Sequence, residues 1–360
     1  MNLPAPTRPA VQRILIVKLS SLGDVVHAMP AVQDLHRAYP QAQIDWVVER
    51  GFAPLVQRCD GVGRVIPCDL RRWRKSWWTA ATRAAWRAFK QELQRDAYDA
   101  VLDLQGLTKS ALVARLARTA QGGKRYALAH RTDGSSYEAP TRWVADEAIS
   151  MHPHVHAVQR SRQLCAQALG SDAHPAPRFG LRAARTQAPA WLAPASSPFV
   201  PAQPVVALVH GTSRADKEWP LAQWVALGQR LEKAGFLVAL AHGSQREQDQ
   251  SQSIAAGLER PVLWPLMPLD DLTDTLAFCA GVIGVDSGVS HIAVALDLPH
   301  VQIYNFNTAW RTGPLPDPYG GAARQLSVYA QPTPNVQEVW SAWIALGVPV
   351  LPPQATLSGH

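Results

Sequence analysis

The sequence predicts an α/β protein built from two doubly wound domains, and three observations carry that expectation. Short aliphatic and β-branched runs recur along the chain, each entering a polar turn and then a segment of helical periodicity. At 360 residues the chain exceeds the size at which a single core is comfortable. A stretch dense in Pro, Ala and Ser, Ala183 to Pro204, separates two such series. The expected division is a first domain over 13–184, a linker over 185–204, a second domain over 205–333 and a closing helical segment over 334–351.

Taken in order, Arg13 to Leu19 reads as a buried parallel strand because its apolar residues do not alternate. Ser20 to Asp24 is a glycine-containing turn, and Val25 to Tyr39 has helical periodicity that stops before Pro40. Ile44–Val48, Arg64–Pro67 and Ala97–Leu104 are further strands; the last enters Gln105 to Lys109 and the helical Ser110 to Ala117. Ala157 to Leu169 is a helix. Beyond the linker the pattern repeats: a strand Val205–His210, a polar loop Gly211 to Pro220, and a helix Leu221–Ala234 closed by Gly235. Leu237–Leu240 and His300–Tyr304 read as strands, with the apolar run Val262–Met267 between them, and Leu269–Cys279 and Asn335–Leu346 read as helices. Every polar loop follows a strand end, so the loops can converge on the sheet edge where such folds bind ligands.

The stretch Val282 to Leu296 is central. A β-branched run reaches Asp286-Ser287-Gly288, and an alanine-rich helical segment follows. There Gly288 can take a backbone conformation closed to other residues, and the first N–H groups of the helix are free to hold an anion, phosphate above all. The plainer alternative is a strand-to-helix connection capped by Asp286 or Ser287.

Hydrophobic content of 47% with 18% charged residues describes filled globular cores rather than a disordered chain. A net charge of +7 points to an anionic partner, leaving nucleic acid, phosphorylated metabolite and membrane surface open. Cys59, Cys68, Cys165 and Cys279 have neither metal-ligand nor redox spacing, so reduced thiols in a cytosolic protein are expected, with no metal site. The polar leader Met1 to Gln12 is expected to be neither a signal peptide nor an anchor, and no apolar run is long enough to span a bilayer.

Between Leu70 and Lys90, basic residues interleave with Trp73, Trp77, Trp78 and Trp86. This pattern fits either a solvated helix with core-facing tryptophans or a surface for anionic lipid or phosphorylated sugar. Nucleic acid is disfavoured, because the basic residues are local and no nucleic-acid module is recognisable. His152-Pro153-His154-Val155-His156 reads as a loop rather than a zinc site, since it lacks cysteine and any partner pattern.

Lys18-Leu19-Ser20-Ser21-Leu22-Gly23-Asp24, His210 to Pro220 and Asp286 to His291 together resemble the family 9 glycosyltransferases, the ADP-heptose:lipopolysaccharide heptosyltransferases. Trp46 to Ala53, Arg71 to Lys75 and Asp103 to Ser110 resemble the branch that adds the first heptose, and the similarity extends in consistent order from about Arg13 to about Tyr304. The resemblance implies a GT-B fold: two Rossmann-like domains facing across a cleft, acceptor on the first, nucleotide-sugar on the second, and a final helix crossing back to the first. It implies transfer of heptose from ADP-heptose to the 3-deoxy-octulosonate (Kdo) of Kdo-lipid A, inverting and without a metal, by a cytoplasmic protein peripheral on the anionic inner membrane.

By the same resemblance Asp24 is the catalytic base, although an Asp so near a helix start can serve simply as a cap. Thr212, Ser213, Lys217, Glu247, Met267, Asp286, Ser287, Gly288 and His291 match donor-binding positions. Met267 as plain core packing is the alternative. Ser21, Gly23, Gln105, Lys109 and the basic Arg71, Arg72, Arg74 and Lys75 are the acceptor-side residues. One loop departs from the family pattern: where relatives carry a Tyr-Gly-Pro-Thr-like sequence, Tyr304 here leads into Asn305-Phe306-Asn307-Thr308. Rival readings are an enzyme adding the second heptose, a non-catalytic glycolipid binder of the same fold, and a nicotinamide-dependent dehydrogenase. The last lacks Gly-x-Gly-x-x-Gly in its first turn.

Overall fold

A computed structural model describes residues 11–173, 176–192, 203–316 and 323–349. The leader through Ala10 and the Pro-rich Ala193 to Pro198 of the expected linker lie outside them. The chain divides into two units at Gly180/Leu181, a few residues ahead of the expected boundary.

In the first unit six parallel strands, β1 (Arg13–Val17), β2 (Gln43–Glu49), β3 (Val62–Cys68), β4 (Ala97–Asp103), β5 (Arg118–Leu128) and β6 (Glu147–Ile149), lie in the order β3-β2-β1-β4-β5-β6. The helices are α1 (Leu22–Ala38), α2 (Ala53–Val56), α3 (Leu70–Lys75), α4 (Ala80–Leu93), α5 (Thr108–Leu116), α6 (Pro140–Val144) and α7 (Ala157–Leu169). Leu15, Val17 and Val101 of the sheet meet Trp73, Phe89, Leu93 and Val113 in one core. Ile14 and Ile16, pointing to the opposite face, are equally buried, as expected for a sheet covered on both sides.

In this unit α2, β5, β6 and α6 escaped the sequence reading. The basic, tryptophan-rich stretch is two helices rather than one, because the chain turns at Ser76 and restarts at Thr79, whose hydroxyl accepts from the Thr82 N–H and caps α4. The turn before Asp24 is also shorter than expected. α1 begins at Leu22, so Gly23 lies inside its first turn and Lys18 to Ser21 make the connection.

The second unit repeats the plan with β7 (Val205–Val209), β8 (Leu237–Leu240), β9 (Pro261–Leu263), β10 (Gly281–Val285), β11 (His300–Tyr304) and β12 (Gln325–Tyr329), ordered β12-β11-β10-β7-β8-β9 and all parallel. Its helices are α8 (Leu221–Lys233), α9 (Gln245–Ala255), α10 (Leu269–Ala277), α11 (Gly288–Ala295), α12 (Ala309–Thr312) and α13 (Val336–Ala345). Of the elements in this unit, α9, α12 and β12 also escaped the sequence reading. The described part of the segment expected to cross back to the first domain is seated on this unit's own core. Val339 and Trp343 of α13 are buried with Leu231 and Ile283, and the Trp343 ring meets Phe236 edge-on at 5.8 Å. A Cβ at Gly281 would lie 2.6 Å from the Trp343 ring, so the bare glycine backbone makes that seat.

Each sheet reverses its winding once, between β1 and β4 in the first unit and between β7 and β10 in the second. At such a switch point the connections leave to opposite faces and a crevice opens outside the carboxyl ends of the strands. Lys18 and Leu104 follow one pair of strand ends, His210 and Asp286 the other.

Candidate active site

At the first switch point, Lys18 is a cation at the end of an apolar strand, and it is only 1% exposed. It donates to the Leu104 carbonyl at 2.9 Å and lies 3.5 Å from Asp24 Oδ1. Arg160, from α7, reaches the same oxygen at 3.7 Å. Asp24 Oδ2 accepts from the Ser21 N–H at 3.1 Å and the Ser21 hydroxyl at 3.0 Å. Asp24 thus does cap α1, and it is also the hub of a charge cluster. Burial works against its charge, but Lys18 and Arg160 outweigh burial and hold the carboxyl well below the usual carboxylate range. Burial in turn pulls the Lys18 ammonium down, with Asp24 opposing. The Asp24 side chain nevertheless keeps 36% exposure, so the ionised group is reachable.

The surrounding acceptor-side residues assemble around it. Gln105 Oε1 accepts from the Leu19 and Ser20 N–H groups, each at 3.0 Å, and so holds the loop between β1 and α1. Gly106, at φ +78°, makes the turn that sends the chain from β4 into α5. Asp103 beneath that turn accepts from the Gln105 N–H at 2.9 Å, the Gly106 N–H at 3.2 Å and the Ser110 hydroxyl at 3.0 Å. Burial pushes the Asp103 carboxyl up to about 6 despite those donors.

Lys109 donates to Ser20 Oγ at 2.7 Å. Burial and the neighbouring Arg71 lower its ammonium, while Glu49 raises it. Arg71 therefore joins the cluster through Glu49. Arg72, Arg74 and Lys75 instead stand exposed along α3. The tryptophans of this region divide: Trp73 is buried against Trp86 and Phe89, whereas Trp77 and Trp78 are 50% and 73% exposed. The core-facing tryptophan of the first reading is thus Trp73, while Trp77 and Trp78 stand outside the core.

At the second switch point Asp286 is 6% exposed, with Lys217 Nζ 2.6 Å from Oδ2 and His291 Nε2 3.4 Å from Oδ1. Burial opposes the Asp286 charge, but His291 and Lys217 outweigh it and keep the carboxyl well below its ordinary range. Thr212 Oγ1 donates to the Asp286 carbonyl at 3.3 Å, tying the loop after β7 to the loop after β10. Ser287 caps α11, accepting from the Ser290 N–H at 3.4 Å, and Ser290 donates to the Val285 carbonyl at 2.6 Å.

Gly288 is the first helical residue of α11 rather than a left-handed corner, so its unusual backbone freedom is not used. The tight approach is made elsewhere: a Cβ at Gly284 would lie 2.5 Å from Ser290 Oγ and 2.8 Å from Val209 Cβ. Glu247 Oε2 accepts from the Gly243 N–H at 2.6 Å, and a Cβ at Gly211 would lie 2.5 Å from its carboxyl carbon. Ser213 is exposed on the same loop as Lys217. Met267 stands half-buried after β9, its sulfur 3.7 Å from Thr275 Oγ1, and is not a member of the buried core.

Four residues of these clusters were not among the site residues expected from the sequence: Lys18, Glu49, Asp103 and Arg160. Lys18 carried a signal, a lone cation closing an apolar strand. Arg160 carried none, since on α7 it is one polar residue among several. Among the described residues, no three His, Cys, Asp or Glu gather as a metal-binding group.

A buried ion-pair network at one switch point and a lysine–aspartate pair beside a capped helix N-terminus at the other suit an enzyme that activates a hydroxyl and holds an anion. Comparison with known proteins agrees. Lipopolysaccharide heptosyltransferase 1 of Pseudomonas aeruginosa is 39% identical over 311 residues, 84% of this chain and 81% of that protein. The enzyme of the same name from Escherichia coli K12 is 35% identical over 90% of this chain and 95% of its own length. The structure of the E. coli heptosyltransferase WaaC with ADP is similar at a TM-score of 0.75 and 31% identity, covering 89% of this chain and 94% of that one. Residues 86–342 match glycosyltransferase family 9 (heptosyltransferase), and with these relatives the match shows that the chain belongs to that family.

Proposed function

We propose that the protein transfers L-glycero-D-manno-heptose from ADP-heptose to the Kdo of Kdo-lipid A, with inversion at the anomeric carbon. The observation that carries this reading is Asp24: a carboxylate at a sheet switch point, held ionised by Lys18 and Arg160, yet open to solvent. In the proposed step Asp24 takes the proton of the acceptor hydroxyl as its oxygen forms the new bond to the anomeric carbon. The bond from that carbon to the phosphate oxygen breaks on the opposite face, and ADP leaves with the electron pair.

The leaving diphosphate gains negative charge as this bond breaks. Lys217, Thr212 and Ser213, with the free N–H groups of Ser287 and Gly288 at the α11 start, are the donors suited to meet it. The chemistry so written uses no metal. Asp286 and His291 serve by orienting Lys217 and the helix start, while Glu247 and Met267 take the nucleoside. On the acceptor side, Lys109 and Arg71 meet the Kdo carboxylate, and Ser21, Gly23 and Gln105 shape the loop that presents Asp24. Arg72, Arg74 and Lys75, beside the exposed Trp77 and Trp78, face the lipid A phosphates and the anionic inner surface of the membrane, where the protein works peripherally. Among the described residues no helix is long and apolar enough to cross a membrane.

The test is mass spectrometry of Kdo-lipid A after incubation with purified protein and ADP-heptose. The expected product is heavier by one heptose. Asp24→Asn abolishes it while leaving ADP-heptose binding in place; an active Asp24→Asn protein rejects Asp24 as the base. A protein that leaves Kdo-lipid A untouched but extends an acceptor already carrying one heptose adds the second heptose instead.

A further inference from the structure

The loop from Gly211 to Glu218 carries Lys217 but little regular structure, a single turn of 3-10 helix over Ala215–Lys217. Ser213 to Asp216 are exposed, and a lysine has four rotatable side-chain bonds to order. Something must hold the backbone if Lys217 is to be placed in advance of ligand. Asn305, one residue beyond the end of β11, does so. Its Nδ2 donates to the Asp216 carbonyl at 3.0 Å and to the Glu218 carbonyl at 2.9 Å, the two peptide oxygens flanking Lys217 in sequence.

The orientation of this amide follows from its partners. Carbonyl oxygens only accept, so the NH2 end must face them. The oxygen end accepts from the Thr333 hydroxyl at 2.7 Å, which leaves both ends of the amide bonded. The same segment anchors the loop a second time, because Trp219, buried two residues after Lys217, donates from its ring nitrogen to the Pro334 carbonyl at 2.8 Å. β11 pairs in register with β10, Ile303 opposite Val285, so Asn305 leaves the same rigid sheet edge that carries Asp286. Lys217 and its carboxylate partner are thus fixed to neighbouring strand ends by separate ties.

We propose that Asn305 is a positioning residue for donor binding. Its amide clamps the backbone on both sides of Lys217 and sets where the ammonium meets the diphosphate. This assignment rests on reading Lys217 as a ligand of the donor, and it gives a role to a loop in which this chain departs from the family pattern.

The test uses the full-length protein and four variants: Asn305→Ala, Thr333→Val, Lys217→Ala and the double Asn305→Ala/Lys217→Ala. Titration calorimetry with ADP, donor and acceptor KM values, kcat and thermal midpoints are measured for each. Losing two hydrogen bonds of ordinary net worth is expected to weaken ADP binding and raise donor KM about tenfold in Asn305→Ala. Acceptor KM stays unchanged, and Thr333→Val shows a smaller effect of the same kind. In the Lys217→Ala background, removing Asn305 changes ADP affinity less than about twofold, because Asn305 acts through Lys217.

A full additional loss in that background overturns the clamp and makes Asn305 a general structural residue. Unchanged ADP affinity in both Asn305→Ala and Thr333→Val overturns it as well, while weakened binding by Lys217→Ala alone leaves the donor reading standing. ADP affinity indifferent to Lys217→Ala instead removes the donor reading beneath the proposal. Should Asn305→Ala fail to fold, Thr333→Val, which retains the shape of the side chain, decides between these outcomes.

Discussion

Replacing Lys18 with methionine tests the electrostatic core of the first site, because it removes a charge and keeps a similar length of side chain. Two unit charges 3.5 Å apart attract by about 5 kcal/mol at an effective dielectric of about 20. Solvent reaches the exposed part of Asp24 and screens the pair, so about 2 kcal/mol is the reasonable figure. The sign follows from the direction of the shift. Lys18 lowers the Asp24 carboxyl, so its removal raises it, and the acid limb of kcat/KM moves upward by about 1.5 pH units. Linkage requires that the stability Asp24 contributes, present above its ordinary range and lost in acid, shrink in the same variant.

The assay is a pH profile of kcat/KM taken from about pH 9 down through and below the ordinary carboxylate range, as far as the protein stays folded, with Lys18→Arg, which keeps the charge, as the control. Lys18→Met also leaves the buried Leu104 carbonyl without its donor, at a cost of about 1–3 kcal/mol, so rates are read well below its thermal midpoint. An acid limb that stays in place in the folded Lys18→Met protein refutes the reasoning, since ionisation of Asp24 would then not limit the rate or not depend on Lys18.

Three further expectations follow from named contacts. Asp103 has a raised folded-state carboxyl at about 6, so its favourable contribution exists in acid and is lost as the pH rises through that value; Asp103→Asn should gain about 3 kcal/mol relative to the parent between pH 3.5 and 7 in chemical denaturation. A parallel pair of stability profiles would contradict it. Gly284→Ala drives a methyl group against Ser290 and Val209, so a loss of about 1–3 kcal/mol in stability and weaker ADP binding are expected, read by thermal melts and calorimetry. Raising salt from about 0.1 to 1 M shortens the screening length from about 10 to 3 Å, so acceptor KM should climb several-fold while donor KM moves less; equal insensitivity of both would detach the exposed Arg72, Arg74 and Lys75 from the acceptor.

The strands that sequence alone could locate are those whose pattern has one physical meaning. Leu15 to Val17, Val205 to Val209 and Val282 to Val285 are apolar without alternation because both faces of each sheet are covered. β5 was hidden by its own composition, since Arg118–Leu128 carries two adjacent glycines and several polar residues and lies toward an edge. β12 was hidden for a related reason: at the sheet edge no residue from Gln325 to Tyr329 is fully buried.

The residues at strand ends were legible in the same way, as polar groups interrupting apolar runs: Asp24 after β1, Thr212 and Lys217 after β7, Asp286 after β10. Sequence by itself therefore determined the repeated strand–turn–helix plan, the family resemblance and the chemistry available at each turn, because these depend on neighbours along the chain. Tertiary structure decided which of those turns meet. The order β3-β2-β1-β4-β5-β6 sets the β1 and β4 ends side by side, so that Lys18 bonds Leu104 and Gln105 holds the loop before Asp24. Packing of α7 brings Arg160 to the Asp24 carboxylate, and in the second sheet the order β12-β11-β10-β7-β8-β9 brings Asn305, just past β11, to the backbone around Lys217. Such pairings leave no periodicity or local spacing behind, since a hydrogen bond or ion pair between distant segments constrains only where the fold carries each partner.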